Sequence, residues 1–152
     1  MNNPSKNGEG IEALFVCLAF VGLAGTWAQG FGYLELGLVG ANIQFWKEAF
    51  GTPASTFLAV DILVLAAALF VWMFAEARRL GIGAAWIWTY FLASLFIGIS
   101  CAVPLFLAHR HRRIRLNRPT EQGSPAGSDW VAIVVAIVIA IVAAGYSLSR
   151  MY

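Results

Sequence analysis

The chain has 152 residues, of which 60% are hydrophobic and only 12% are charged. A soluble domain carries about 25% charged residues, so this composition excludes an ordinary water-soluble fold, and its hydrophobicity excludes a disordered chain. Two cysteines are too few for a disulfide framework, and a net charge of +2 gives no reason to expect a nucleic acid partner. The sequence therefore indicates an integral membrane protein, whose first expected partner is the lipid bilayer.

Four apolar stretches are each long enough to cross a bilayer as a helix, which takes about 20 residues. They lie at about residues 11–29, 53–77, 82–108 and 130–148. An open strand in lipid would leave its backbone groups unpaired, so each stretch is predicted to be helical. The predicted fold class is all-α integral membrane: a single domain over residues 1–152 with four transmembrane helices and a short interfacial amphipathic helix between spans one and two.

The interfacial helix is predicted over residues 42–50. Its aromatic residues would group on one side, while Lys47 and Glu48 would face water. Asn42 is expected to cap its first turn.

The other two connections differ in length. Residues 78–81 are so few that spans two and three are expected to form an antiparallel hairpin, with Gly81 capping the end of span two. Residues 117–128 are rich in Gly, Ser and Pro, which predicts a flexible linker before span four.

The basic residues predict an orientation. Four straight spans place the N-terminus, the 78–81 turn and the C-terminus on one side, and the connection after span three on the other. That connection holds five arginines, which are expected to bind anionic lipid head groups and to fix the topology: Arg110, Arg112, Arg113, Arg115 and Arg118. Because Lys and Arg favour the cytoplasmic side, the cluster is expected inside and both termini outside.

Two stretches carry a resemblance to a known family. They read FWKEAFGTPASTFLAVDILVLAAALFVWMFAEARRLG and FIGISCAVPLFLAHR. The combination resembles the uncharacterised bacterial membrane family named "domain of unknown function 2834", over about residues 12–113, with span four as an added C-terminal element. The resemblance implies a small multi-span protein of the bacterial inner membrane, and it implies no activity.

Asp61 is the candidate catalytic or binding residue. It lies about 12 Å along span two from Pro53, among apolar neighbours. A charged aspartate at the centre of a membrane helix costs about 2.5–3.5 kcal/mol, so we expect Asp61 to face other helices or a water pocket. It is either a structural acid, neutral or hydrogen-bonded to span one or three at a residue such as Ser94 or Ser100, or a group with a ligand or proton role.

A second candidate site is an aromatic-lined cavity within the spans. Its candidate ligand-binding residues are Trp72, Tyr90, Phe96 and Ser100. The competing interpretation is that these aromatic residues face lipid. Glu76 is expected to pair with Arg79, three residues later on the same helix. No metal site and no cofactor are predicted, because no carboxylate accompanies the two histidines at a metal-binding spacing.

Three functions are compatible with this pattern. The first is an accessory subunit or a hydrophobic-ligand (lipid or isoprenoid) binding module, which suits spans with few polar residues. The second is a membrane enzyme of isoprenoid type, a cyclase or isomerase, with Asp61 as general acid and Trp72 or Tyr90 stabilising a cation. The third is an oligomeric transporter or proton path, since one intramembrane acid per chain is too few for a carrier acting alone. The expected protein partner is another membrane protein or a second copy of the chain.

Overall fold

Helices make up all the regular structure of the described residues in the computed structural model, which are 4–116 and 127–149. Arg118 and most of the predicted linker lie outside these ranges. The elements in chain order are α1 (Pro4–Gly30), a 3-10 helix (Phe31–Leu36), α2 (Gly37–Ala49), α3 (Pro53–Arg79), α4 (Ala84–Ala93), a π-helical turn (Ser94–Gly98), α5 (Ile99–Leu116) and α6 (Gly127–Ser149).

Four helical segments are long and apolar enough to cross a membrane. They are Glu9–Leu36, Pro53–Arg79, Ala84–Leu116 and Val131–Ser149. The all-α membrane class with four segments of this kind is therefore confirmed. Apolar side chains cover much of their surface, as expected of helices that face lipid rather than water.

Local hydrogen bonds define both ends of α3. Before it, the Ser55 backbone N–H donates to the Thr52 hydroxyl and the Thr52 N–H donates to the Ser55 hydroxyl, both at 3.1 Å. This reciprocal pair satisfies backbone donors that the first turn of a helix leaves free. After α3, Gly81 adopts a φ of 63°, and the Ile82 N–H donates to the Ala77 carbonyl at 2.9 Å. The expected glycine cap is present.

The helix predicted over 42–50 begins earlier in the structure. α2 starts at Gly37, whose φ of 69° breaks the chain direction after the 3-10 helix. Asn42 consequently lies inside α2, and the expectation that it caps the helix is wrong. The apolar residues between Gly37 and Asn42 extend the helix because nothing in them stops it.

The third membrane-length segment folds back on itself. Trp86 and His109 would lie about 35 Å apart along a straight helix. Their ring centroids are instead 5.5 Å apart, and those of Tyr90 and Phe106 are also 5.5 Å apart. α4 therefore packs antiparallel against α5. The structure replaces the straight third span expected over 82–108 with a helical hairpin.

The turn of this hairpin depends on a glycine and on a bond from α1. Gly98 has a φ of 136°, which side chains other than glycine rarely adopt. The carbonyl of Ile97 accepts a hydrogen bond of 2.8 Å from the indole nitrogen of Trp27. An irregular turn at membrane depth needs such partners, because lipid offers its backbone none.

The two arms of the hairpin have matched apolar lengths. α4 has 10 residues, and α5 is apolar from Ile99 until His109. Each apolar arm is therefore about 15 Å long, half of the roughly 30 Å hydrocarbon core.

The described chain divides into two compact units. The first comprises residues 4–28 and 72–116, and its most buried large side chains are Phe74, Phe106 and Ile82. The second comprises residues 29–71 and 127–149. In it, α6 buries Ile133 and a series of small residues: Ala132, Ala136, Ala140 and Ala143. Small side chains of this kind allow close helix packing.

Candidate functional site

Glu76 is the centre of an ion-pair cluster in the first unit. It is 8% exposed. Its Oε1 accepts hydrogen bonds of 2.6 Å from Arg79 Nη2 and from Arg110 Nε, and its Oε2 accepts one of 2.6 Å from Arg79 Nε. The guanidinium of Arg110 also lies 5.8 Å from the centre of the Trp72 ring, in cation–π range. The predicted Glu76–Arg79 pair is confirmed, and Arg110 adds a third charged member.

His109 connects the two arms of the hairpin. Its Nδ1 lies 3.1 Å from the Tyr90 hydroxyl, and its Nε2 accepts a hydrogen bond of 3.3 Å from Arg113 Nε. A guanidinium nitrogen can only donate, so this network assigns the proton of the neutral imidazole to Nδ1, which donates to Tyr90. Tyr90 and His109 therefore hold α4 against α5.

The arginines of α5 lie beside the start of α1 and the end of α3. Arg115 donates to Glu12 at 3.0 and 3.1 Å and to Glu9 at 3.3 Å, while Arg110 bonds Glu76. Arg112 is exposed. The expectation that this cluster and the N-terminus lie on opposite sides is wrong, because the α4–α5 hairpin returns the chain to the end from which it left α3.

The four candidate ligand-binding residues do not line one cavity. Trp72 and Tyr90 both pack against Phe106, with ring centroids 5.8 and 5.5 Å away. Phe96 lies at the hairpin turn and is 67% exposed. The hydroxyl of Ser100 is 3.5 Å from the carbonyl of Gly22. The first two therefore belong to the packing of the hairpin, and the last two to its turn.

Asp61 is exposed on α3, in the second unit. In the described ranges, no hydrogen bond or ion pair to its carboxylate is observed, and it does not line the cleft described next. Ser94 and Ser100, the partners that the sequence suggested, belong to the first unit, so that contact stays a prediction.

A cleft of about 770 Å³ lies within the second unit, formed by α2, α3 and α6. Its walls are aliphatic and aromatic, and Lys47 is the charged residue among them. The lining residues are Trp46, Lys47, Phe50, Gly51, Leu63, Val138, Ile139, Val142, Ala143 and Tyr146. We call it the Lys47 cleft. Lys47, which we expected to face water, borders this apolar space.

The aromatic residues of α2 and α6 shape one end of the Lys47 cleft. Trp46 and Phe50 stack with centroids 6.1 Å apart, and Phe50 meets the ring of Tyr146 edge-on at 5.5 Å. These contacts place the last turn of α6 beside the residues that precede α3. The cleft therefore runs from that end along α3 and α6.

Glu48, the next residue after Lys47, is held by two neighbours. It accepts hydrogen bonds from the Tyr33 hydroxyl and, at 2.6 Å, from the Gln44 amide. These bonds, that from Tyr33 above all, hold the pKa of Glu48 below its usual range. They keep Glu48 ionised and join the 3-10 helix to α2.

A comparison with known families identifies the chain. The profile described as "Protein of unknown function DUF2834" matches residues 14–112. The chain belongs to this family. α6 lies beyond the matched region, as the resemblance in the sequence implied, so one wall of the Lys47 cleft comes from outside the family region. No curated protein and no solved structure matched the chain.

Sequence reasoning missed both Arg110 as a partner of Glu76 and the Lys47 cleft. The Arg110 contact depends on the hairpin, which joins residues 34 positions apart. The cleft collects residues from three helices, none of which is unusual in its own segment. Gly98 was the available signal for the hairpin, because a glycine within an apolar run can mark a break.

Proposed function

We propose that the protein binds an amphiphilic molecule with an apolar chain and an anionic head, such as a fatty acid, phospholipid or isoprenoid phosphate, in the Lys47 cleft. The observation that supports this is an apolar cleft with a lysine at its edge. Ligand sites of about 300–1,000 Å³ with apolar walls and few polar groups are usual for small molecules, and about 770 Å³ falls in that range.

The position of Lys47 supports a direction for the ligand. Lys47 is near the end of α2, only six positions before α3 begins at Pro53. The lining residues of α6 continue from Tyr146 back to Val138, about 12 Å along the helix. An anionic head beside Lys47 would therefore lie at a membrane boundary, with the chain extending along α6 into the apolar region.

A photoactivatable diazirine palmitate tests the proposal. Irradiation of the purified full-length protein with this probe should label residues of the Lys47 cleft, as mapped by mass spectrometry, and unlabelled palmitate should compete. Lys47→Gln should weaken competition by palmitate about fivefold, which corresponds to about 1 kcal/mol for one interfacial charge. Competition by hexadecanol, which has no charge, should be unchanged.

A matched pair of substitutions on α6 controls for general effects. Val142 lines the cleft, whereas Ile141 is 65% exposed and does not line it. Val142→Trp should abolish labelling in the cleft, and Ile141→Trp should preserve it. Equal labelling in the two variants, or labelling of the wild type that palmitate does not reduce, would refute the proposal.

The enzyme and transporter functions stay predictions. In the first unit, Trp72 and Tyr90 pack on Phe106, and in the second unit Asp61 does not line the Lys47 cleft. The accessory-subunit function also stays a prediction, and the Asp61 face discussed below bears on it.

We further propose that the protein is in the bacterial inner membrane with its arginine-rich end in the cytoplasm. Six arginines belong to that end: Arg78, Arg79, Arg110, Arg112, Arg113 and Arg115. By contrast, Lys47 is the basic residue between α1 and α3. The positive-inside tendency therefore supports a cytoplasmic N-terminus, which replaces the orientation first expected.

The same reasoning supports opposite locations for the two termini. If the α4–α5 hairpin enters and leaves from the cytoplasmic side, α1, α3 and α6 are the crossings. Green fluorescent protein, active only in the cytoplasm, should then fluoresce when fused to the N-terminus and remain dark at the C-terminus. Alkaline phosphatase, active only outside, should give the reverse result. Both termini on one side would contradict this topology.

A further inference from the structure

The exposed face of α3 around Asp61 is unlike an ordinary lipid-facing surface. The residues three and four positions away from Asp61 on either side are large, apolar and at least half exposed: Phe57 (72%), Leu58 (58%), Val64 (50%) and Leu65 (55%). They share one face of the helix with Asp61, because side chains three and four residues apart are neighbours on a helix surface. An acid thus lies at the centre of an apolar surface about 12 Å long.

Asp61 lies within the hydrocarbon region by the length of its own helix. α3 has 27 residues, and Asp61 is about 12 Å from Pro53 and about 27 Å from Arg79. An ionisable group at such a depth usually faces a polar partner rather than acyl chains. In the described structure, Asp61 is exposed and has no observed hydrogen bond or ion pair.

The membrane-length segments of the described residues offer no cation at this depth. The apolar parts of its four membrane-length segments contain no lysine, arginine or histidine between residues 13–36, 53–77, 84–108 and 131–149. A second copy would meet Asp61 with another acid or with a hydroxyl, and neither balances its charge. Charge complementarity therefore favours a different protein.

We propose that the Asp61 face is the docking surface for a transmembrane helix of another membrane protein that carries a lysine or arginine at the matching depth. The apolar neighbours pack against that helix, and the carboxylate of Asp61 pairs with its cation. The surface is separate from the Lys47 cleft: Leu63, which lines the cleft, is about 200° around α3 from Asp61. Docking of a helix on the Asp61 face does not require a ligand in the cleft.

Synthetic transmembrane peptides provide the test. One peptide is a 24-residue leucine–alanine helix with a single lysine at its eighth position, and the other has leucine there. Energy transfer from the labelled full-length protein to each labelled peptide is measured in phosphatidylcholine vesicles. The lysine peptide should bind at least tenfold more tightly than the leucine peptide.

Variants at Asp61 assign the effect to this face. Asp61→Leu should remove the preference for the lysine peptide, whereas Asp61→Glu, which keeps the carboxylate, should retain most of it. If Asp61→Leu does not fold, the proposal is tested by Asp61→Asn and by the comparison of the two peptides on the wild type. Equal binding of both peptides to the wild type overturns the proposal. So does Asp61-dependent energy transfer between copies of the chain without peptide, which would make a second copy the occupant.

Discussion

Replacing Gly22 by alanine tests the close approach of α1 to the hairpin. A Cβ atom at Gly22 would lie 2.5 Å from the carbonyl oxygen and 2.8 Å from the carbonyl carbon of Ser100. That carbonyl lacks its usual helical donor because Pro104, four residues later in α5, has no N–H. The added Cβ atom is bonded directly to the backbone and the Ser100 carbonyl is part of it, so no change of side-chain rotamer relieves the clash.

The cost can be worked out from these distances. Cβ atoms essentially never approach other heavy atoms within 3.0 Å, so α1 must shift from Ser100 by about 0.5 Å. Overpacking of this kind costs about 1–3 kcal/mol. The shift also strains the bond from Trp27 to the Ile97 carbonyl, whose loss costs about 1 kcal/mol. Alanine recovers about 0.5–1 kcal/mol of helix propensity, so we expect Gly22→Ala to lower the free energy of unfolding by about 1–3.5 kcal/mol.

Gly25, on the same helix, is the matched control. A Cβ atom there meets nothing within 4 Å, so Gly25→Ala should leave stability unchanged or raise it by about 0.5–1 kcal/mol through helix propensity. The assay is equilibrium unfolding in mixed micelles with increasing sodium dodecyl sulfate, followed by far-ultraviolet circular dichroism. Indistinguishable unfolding curves for the two variants would refute the packing of α1 on the hairpin.

Three further predictions concern stability and ionisation. Glu76→Gln should destabilise the protein in the same unfolding assay by about 1–3 kcal/mol, because it leaves the Arg110 guanidinium without a carboxylate partner. An unchanged unfolding curve would contradict a stabilising role for this ion-pair cluster. Gly98→Ala should cost about 1–3 kcal/mol, because its φ of 136° strains any side chain; equal stability would show that the turn adopts another conformation. The lowered pKa of Glu48 contributes stability that is present above its ordinary pKa and lost as the pH falls through the folded value. Tyr33→Phe should therefore raise the pKa of Glu48 toward its usual range, measured by carbon-13 NMR titration of the carboxyl; an unchanged titration would exclude the Tyr33 bond as the cause.

The sequence predicted the helical class well because lipid leaves few alternatives. Length and hydropathy located the membrane segments, and the glycine cap at Gly81 followed from the turn chemistry. The predicted start of the interfacial helix at Asn42 was wrong, because a residue that favours the capping position is also tolerated within a helix. In such cases local preference does not decide where an element begins.

The sequence pattern did not predict the α4–α5 hairpin or the contacts that depend on it. An apolar run interrupted at Gly98 has the same composition whether it crosses the membrane or turns back. The difference arises from tertiary contacts such as Trp27 with the Ile97 carbonyl and Tyr90 with His109. Once the chain turns back after α4, Arg110 comes within reach of Glu76. The arginines of α5 then lie at the same end as Arg78 and Arg79.

The short arms of the α4–α5 hairpin have a mechanical consequence for the bilayer. Each apolar arm is about 15 Å long, so a hairpin that enters and leaves from one side, as proposed above, would insert into a single leaflet and displace lipid from that leaflet alone. The opposite leaflet would then hold acyl chains beneath the turn formed by Leu95, Phe96 and Ile97. An area mismatch of this kind favours a membrane that bends outward on the hairpin side. In tubular or highly curved vesicles, the protein should therefore concentrate where the hairpin leaflet is the convex one.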